Sequence, residues 1–315
     1  MYSLSFDKSP ENNAIAVVRG GEFDRSVLYL NPKEQERVKK MPAKEFNASQ
    51  YDKELKGMKM VDRSRFFKKV QEALNAGAED LIGESEAHKI LYRKIRDDMA
   101  EDRSVTLPAG SVFEPIPSPD PTKRQIWRCS AVSGAGKSYL ARSIAENYLR
   151  LFPDREVYLI SQQEHDETLD NMKPHPPKRI DYTTFSTDPP SMDEFEKCLI
   201  IFDDVDCIPN PHGKAVLQLI DEVCMRGRHT VTSAIICTHY LSCGLKTRLS
   251  LSEAHYLCIY PFATSPKAME YALTTYAGMT REQIQKLRTL NSRWVIVSKQ
   301  FPTYVLAETC AYMLN

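Results

Sequence analysis

The sequence has no apolar run near the roughly 18 residues that a membrane-crossing helix needs. Its first residues, Met1 to Lys8, include an acid and no apolar core, so no secretory leader and no membrane association are expected. Neither sign of charge dominates: 42 basic residues face 42 acidic ones, and the chain as a whole does not announce a nucleic-acid partner. Glycine is scarce at 12 residues, no internal repeat is visible, and hydrophobic residues make up 42%, as in an ordinary soluble globular protein. Eight cysteines are present but none in C-x-x-C spacing with partners. Several of them (Cys129, Cys198, Cys237, Cys258) fall inside strand-like apolar segments, so they read as reduced core residues of an intracellular protein, not as disulfides or zinc ligands.

Against this background one stretch stands out, Ala131-Val132-Ser133-Gly134-Ala135-Gly136-Lys137-Ser138. It has the spacing of a P-loop, whose backbone N–H groups wrap phosphates while the lysine reaches the β/γ oxygens and the hydroxyl joins a Mg²⁺ shell. Ala131 stands where the pattern has its first glycine, the mildest departure available; Gly134 and Gly136 remain where the loop closes on its ligand. The flanks fit. Gln125 to Ser130 reads as a strand, and Ser138 to Leu151 as a helix with Leu140, Ile144 and Tyr148 on one face, so the phosphates would also meet a helix N-terminus. Ser133 to Tyr139 are therefore the expected nucleotide-binding residues.

A second segment, Leu199-Ile200-Ile201-Phe202-Asp203-Asp204, is an apolar strand ending in two carboxylates. Asp203 and Ser138 are expected to serve the metal and Asp204 to orient and activate the attacking water; alternatively Asp204 caps the following turn with Asp206. The strand Ser233 to Cys237 ends in Thr238 and His239, which in an open α/β sheet would meet the γ-phosphate at the strands' carboxyl ends. Either could sense it, and His239 could equally cap the loop to Tyr240. Arg226 and Arg228 raise the question of an arginine finger, although Gly227 also reads as a helix C-cap with cations favoured beside it. Arg248, on an expected loop, is the other candidate.

Strand and helix signals alternate from Lys123 onward: strands at Arg155–Ile160 and Arg179–Tyr182, a helix from about Lys214 to Met225, a strand at His255–Tyr260, two helices, and a terminal hairpin at Arg293–Val297 and Thr303–Leu306. This order predicts an α/β P-loop NTPase with a mainly parallel sheet covered by helices on both faces. Ahead of it, Ala14–Val18 and Ser26–Leu30 read as a β-hairpin around Gly20-Gly21. Between Lys33 and Lys69 basic residues exceed acidic ones by six, in helix-prone stretches at Pro32–Lys40 and Asp62–Gly77; this is either a solvated face or an arm for DNA or an acidic partner. Five prolines between Leu107 and Thr122 read as an extended linker. The expected division is thus 1–106 as a hairpin and charged helical module, 107–122 as linker, and 123–315 as the ATPase domain.

The set Gly134 to Ser138, Phe202-Asp203-Asp204-Val205-Asp206, Gly227-Arg228-His229 and Thr238-His239 resembles the P-loop ATPases of large DNA viruses. It is similar to the viral branch of the FtsK/HerA-like superfamily associated with genome packaging, including its poxvirus proteins. The stretches Thr247 to His255, Tyr276 to Met279 and Ser292 to Val295 resemble uncharacterised viral relatives of that group. The resemblance spans roughly residues 123 to 310. It implies Mg²⁺-dependent ATP hydrolysis by a homo-oligomeric ring that moves double-stranded DNA into a capsid, with ATP and Mg²⁺ as ligands, capsid proteins as partners, and the host cytoplasm or virion as location. Many members have Asp-Glu where this chain has Asp203-Asp204, and glutamine where it has His239; the shorter Asp204 reaches less far. A nucleotide-dependent switch or scaffold, and a small-molecule kinase, are the other function classes a P-loop admits.

Overall fold

The computed structural model describes residues 2–8, 13–32, 55, 59–76, 79–98 and 103–314. In chain order these form strands β1 (Tyr2–Ser5), β2 (Ala14–Arg19) and β3 (Val27–Pro32), then helices α1 (Met60–Ala76) and α2 (Glu86–Asp98). Strands β4 (Ser104–Thr106), β5 (Val112–Pro115) and β6 (Ile126–Ser130) follow, then α3 (Lys137–Leu151), β7 (Val157–Ser161), β8 (Lys178–Arg179) and β9 (Leu199–Asp203). The remainder is α4 (His212–Thr230), β10 (Ser233–Thr238), α5 (Leu245–Glu253), β11 (Tyr256–Ile259), α6 (Pro266–Ala277), α7 (Arg281–Arg288), β12 (Val295–Ser298), β13 (Tyr304–Ala307) and β14 (Cys310–Met313).

The chain divides into two compact units, residues 32–104 with Met1, and residues 2–31 with 105–315. In the smaller unit α1 and α2 gather Phe66, Val70, Ala73, Leu91, Tyr92 and Ile95 into a separate apolar cluster. Of the helix expected at Pro32–Lys40, Pro32 instead ends β3 and the rest lies outside the described residues.

The larger unit is built on a sheet of ten strands in the order β4-β14-β13-β12-β11-β6-β10-β9-β7-β8. Neighbours from β11 to β8 are parallel, and β12 to β14 close that side as an antiparallel meander. Every residue of β6, β9, β10 and β11 is buried, as parallel strands covered on both faces must be. Each fully buried Ile, Leu or Val contributes about 1.5–3 kcal/mol. On one face α3 presents Leu140, Ala141, Ile144, Ala145 and Tyr148. Pro153, two residues past its last turn, prevents the helix from continuing. On the other face α4, α5, α6 and α7 pack into a second apolar cluster.

The amino-terminal hairpin joins this unit instead of standing apart. β1, β3, β2 and β5 form a four-stranded sheet whose Leu4, Ile15, Val18 and Phe113 share the apolar cluster of α3, and Asn147 of α3 donates to the Pro115 carbonyl at 2.9 Å. The expected linker is therefore part of the fold: β5 pairs with β2, and the Leu107 amide bonds the Thr309 carbonyl at 2.8 Å. Three further differences concern the site. Gly227 is interior to α4 and does not cap it; Val231, at φ 55°, ends the helix. Arg248 lies on α5, not on a loop. Among the cysteines, Cys207 and Cys243 are exposed, unlike the buried Cys129, Cys198, Cys237 and Cys258; all eight are free.

Candidate active site

The topology places β10 between β6 and β9, so the loop after β6, the acids at the end of β9 and the polar end of β10 share one edge of the sheet. Ile236 sits opposite Phe202 and Thr238 opposite Ser130, and the Ala131 amide bonds the Thr238 carbonyl at 3.2 Å. The P-loop is thereby tied to the strand that carries His239.

Gly134 and Gly136 adopt φ of 76° and 96°, a region that side chains with a Cβ rarely enter. Gly136 delivers the chain into α3, whose first residue is Lys137. The buried Lys137 ammonium donates to the carbonyls of Ala131 (3.1 Å) and Val132 (3.5 Å) and lies 3.4 Å from Asp204 Oδ1. Ser133 and Tyr139 are exposed at the loop rim, with the Arg293 guanidinium 5.9 Å from the Tyr139 ring. Beneath the loop the Tyr260 hydroxyl donates to the Gly136 carbonyl at 3.3 Å.

Asp203 is 1% exposed, and neither of its carboxylate oxygens has a hydrogen-bond partner. Burial, reinforced by the neighbouring Asp204 and Asp166 carboxylates, pushes its pKa up to about 7 against the opposing influence of Lys137 and the Ser138 hydroxyl. A buried carboxylate whose oxygens make no well-formed hydrogen bond is costly unless something cationic compensates it. Asp203 and Ser138 therefore fit a divalent cation on the phosphate side of the loop. Asp204 follows at φ 48°, a left-handed conformation that Asp and Asn tolerate better than most residues. Its Oδ1 stands between the Lys137 ammonium and His239 Nε2, the latter at 3.7 Å.

His239 is held from its other side: Asp206 accepts its backbone N–H at 2.8 Å and faces Nδ1 at 3.3 Å, with Cys207 Sγ at 3.4 Å from the same nitrogen. The Thr238 hydroxyl is engaged by side chains of the strand ends, with Ser130 Oγ at 3.3 Å. It accepts from the buried Arg128 guanidinium at 2.6 Å and donates to the Tyr240 carbonyl at 3.0 Å, which makes it a strut of the strand end. Arg226 and Arg228 lie exposed near the carboxyl end of α4, on the side of the strands' amino ends. Arg228 shares a surface depression with Arg124 and His255, and Arg226 pairs with Glu222 at 3.3 Å. With about 1.5 Å of rise per residue, Arg226 is some 20 Å along α4 from His212, at the opposite end of the helix from the turn that follows the paired acids.

No family model matches the chain. Its sequence is 27% identical, over 202 residues, to uncharacterised protein V3 of Sputnik virophage, covering 63% of this chain and 81% of that protein. Among solved structures it is similar to the genome packaging NTPase B204 of Sulfolobus turreted icosahedral virus 2 in complex with ATP-γS. There the identity is 13%, over 60% of this chain and 98% of that one, with a TM-score of 0.39. It is also similar to the pCW3 conjugation coupling protein TcpA in its monomer form with ATP-γS, at 12% identity over 66% of each chain and a TM-score of 0.41.

Arg128 and Cys207 of this edge escaped the sequence reading, which named Asp206 only as a partner in capping the turn after Asp204. Arg128 is a charge inside an otherwise apolar strand, a pattern that itself demands buried partners. Burial lowers its pKa and the Asp206 carboxylate opposes that shift. Asp206 and Cys207 immediately follow the paired acids, yet only the tertiary fold brings them against His239, 32 residues or more away along the chain.

Proposed function

We propose that the chain is a P-loop ATPase that hydrolyses Mg-ATP at the edge formed by the loop after β6 and the ends of β9 and β10. The observation that carries this reading is Asp203, buried with both carboxylate oxygens unpartnered beside a loop whose two glycines hold positive φ. The backbone amides of 133–138 would receive the phosphates, with Lys137 leaving its loop carbonyls for them. Ser138 and Asp203 would hold Mg²⁺, which supplies charge neutralisation at the β/γ oxygens when bound. Asp204 orients a water in line with the γ-phosphate and accepts its proton, while His239, beside it, contacts the same region of the strand end. In this scheme Thr238 acts through the backbone and through Arg128, not as a phosphate contact. Arg226 or Arg228 would complete a neighbouring subunit's site.

The task proposed for this hydrolysis is the translocation of double-stranded DNA during viral genome packaging, on the strength of the motif set that resembles such ATPases. A nucleotide switch with little turnover is the second reading, favoured by the Lys137–Asp204 pair, which occupies the carboxylate that hydrolysis would use. Turnover of ATP with and without duplex DNA, read beside native mass in ATP, separates them. The motor reading expects Mg²⁺-dependent hydrolysis stimulated by DNA and assembly into rings; binding of ATP with neither turnover nor assembly would establish the switch.

A further inference from the structure

Next to the nucleotide edge lies a second group of donors of a different chemical kind. Among the described residues, Asp206, Cys207 and His239 each present a ligand atom, all within 4.8 Å of one another. His239 Nδ1 is the hub, 3.4 Å from Cys207 Sγ and 3.3 Å from Asp206 Oδ1. A tetrahedral zinc ion with bonds of about 2.0–2.1 Å to nitrogen and oxygen and about 2.3 Å to sulfur requires separations of about 3.6 Å (N to S) and 3.4 Å (N to O). Both separations from His239 Nδ1 match such a site, and the sulfur and the carboxylate oxygen lie within 4.8 Å of each other. The other imidazole nitrogen, Nε2, faces the Asp204 carboxylate at 3.7 Å, the outer-sphere carboxylate that a metal-bound histidine commonly uses to fix its tautomer. Cys207 is exposed, so an ion has a path in, and a fourth position stays open to water.

We propose that Asp206, Cys207 and His239 form a binding site for Zn²⁺ or a similar thiophilic divalent cation, distinct from the Mg²⁺ position at Ser138 and Asp203. One thiolate and one imidazole select against Mg²⁺, which takes oxygen ligands in octahedral geometry. Binding converts the Cys207 thiol to thiolate and releases its proton to solvent. Occupancy turns His239 into a metal ligand and Asp204 into its outer-sphere partner, withdrawing both from the water-activating arrangement. The metal is thus an inhibitor of turnover, a consequence that rests on the ATPase reading, whereas the site itself does not.

The test is a Co²⁺ titration of the nucleotide-free full chain followed by displacement with Zn²⁺. One equivalent should give a thiolate-to-cobalt charge-transfer band in the near ultraviolet together with intense tetrahedral d–d bands, and Zn²⁺ should abolish both. Loss of an outer-sphere partner alone commonly costs about 10–100-fold in metal affinity, so Cys207→Ser should weaken binding by more than about 100-fold and remove the charge-transfer band. Cys243→Ser, at the other exposed cysteine, should change nothing. Absence of the band in folded wild-type protein, or its survival in Cys207→Ser, overturns the site. In a turnover assay with excess Mg²⁺, stoichiometric Zn²⁺ should inhibit wild type and spare Cys207→Ser; cobalt binding with unchanged turnover overturns the inhibitory role and leaves the site standing. A chain with no ATPase activity at all would refute the proposed function, while the spectra would still decide the site.

Discussion

Around Lys137 polar contacts run in series through space: its ammonium meets Asp204, which meets His239, which is held by Asp206. Each member's role is separable by substitution. Hydrogen bonds to charged groups are worth about 1.5–3 kcal/mol, so a lysine making two of them to phosphate oxygens carries at least about 100-fold in affinity. Lys137→Ala should lose ATP binding by that factor or more in calorimetry, and tight binding by the variant would refute the P-loop reading. Asp204→Asn tests the other end of the pair. Asparagine is as much at home at φ 48° as aspartate, so the backbone should persist and Mg-ATP affinity should change little. Turnover should fall by about 10²–10⁴, the range that a positioned base supplies. If nucleotide binding falls equally in Asp203→Asn and Asp204→Asn, the division of labour between the two acids is wrong.

Among the elements, β11 is entered through a half-buried histidine whose titration should be visible in stability. His255 Nδ1 accepts the Ile126 backbone N–H at 2.9 Å, and burial, with help from Arg124 and Lys299, pushes its pKa down to about 4 from 6.5. The unfolded chain therefore binds a proton between pH 6.5 and 4 that the folded chain refuses. Stability should be complete above pH 6.5 and should decline as pH falls toward 4, by no more than about 3 kcal/mol from this residue. In His255→Asn the amide oxygen can replace Nδ1 as acceptor, so denaturant midpoints should lose this part of the pH slope; an unchanged slope would assign it elsewhere. The elements legible in the sequence are those whose signal is local. β6, α3 and β9 were readable because strand burial, helix periodicity and turn chemistry agreed there. α5 was not, because it buries Thr247 and Ser250 beside Leu251 and lacks an apolar stripe. Gly227 looked like a stop, yet it sits inside α4 because an added Cβ would lie 3.2 Å from the Thr232 carbonyl and 3.3 Å from the Arg124 guanidinium. The prolines of 107–122 suggested a free linker, but β5 borrows its partner β2 from the distant hairpin, and long-range pairing of that kind leaves no local trace. The same holds for the candidate site: the P-loop and paired acids are contiguous motifs, whereas the contacts of His239 with Asp206 and Cys207 exist only in three dimensions.

At the scale of the whole molecule the open question is whether the chemistry is complete within one chain. Asp203, Asp204 and Lys137 meet at one edge of the sheet, while Arg226 and Arg228 occupy the far end of α4, with Arg226 about 20 Å along it from its first residue. An arginine finger from either must therefore come from another copy, in a head-to-tail arrangement that sets the strands' amino-end edge of one subunit against the P-loop edge of the next. Such heterologous contacts close into rings when the rotation allows. Subunits lacking both arginines and subunits carrying Asp204→Asn should each be inactive, the first by about 10³-fold or more if the guanidinium neutralises transition-state charge. Mixed in equal amounts, about a quarter of head-to-tail interfaces should pair an intact carboxylate with an intact neighbouring arginine. ATP turnover of the mixture should then rise far above either component. Co-assembly without any such recovery would show that these arginines serve only the end of α4, and the ring motor would lose the trans contact on which its mechanism depends.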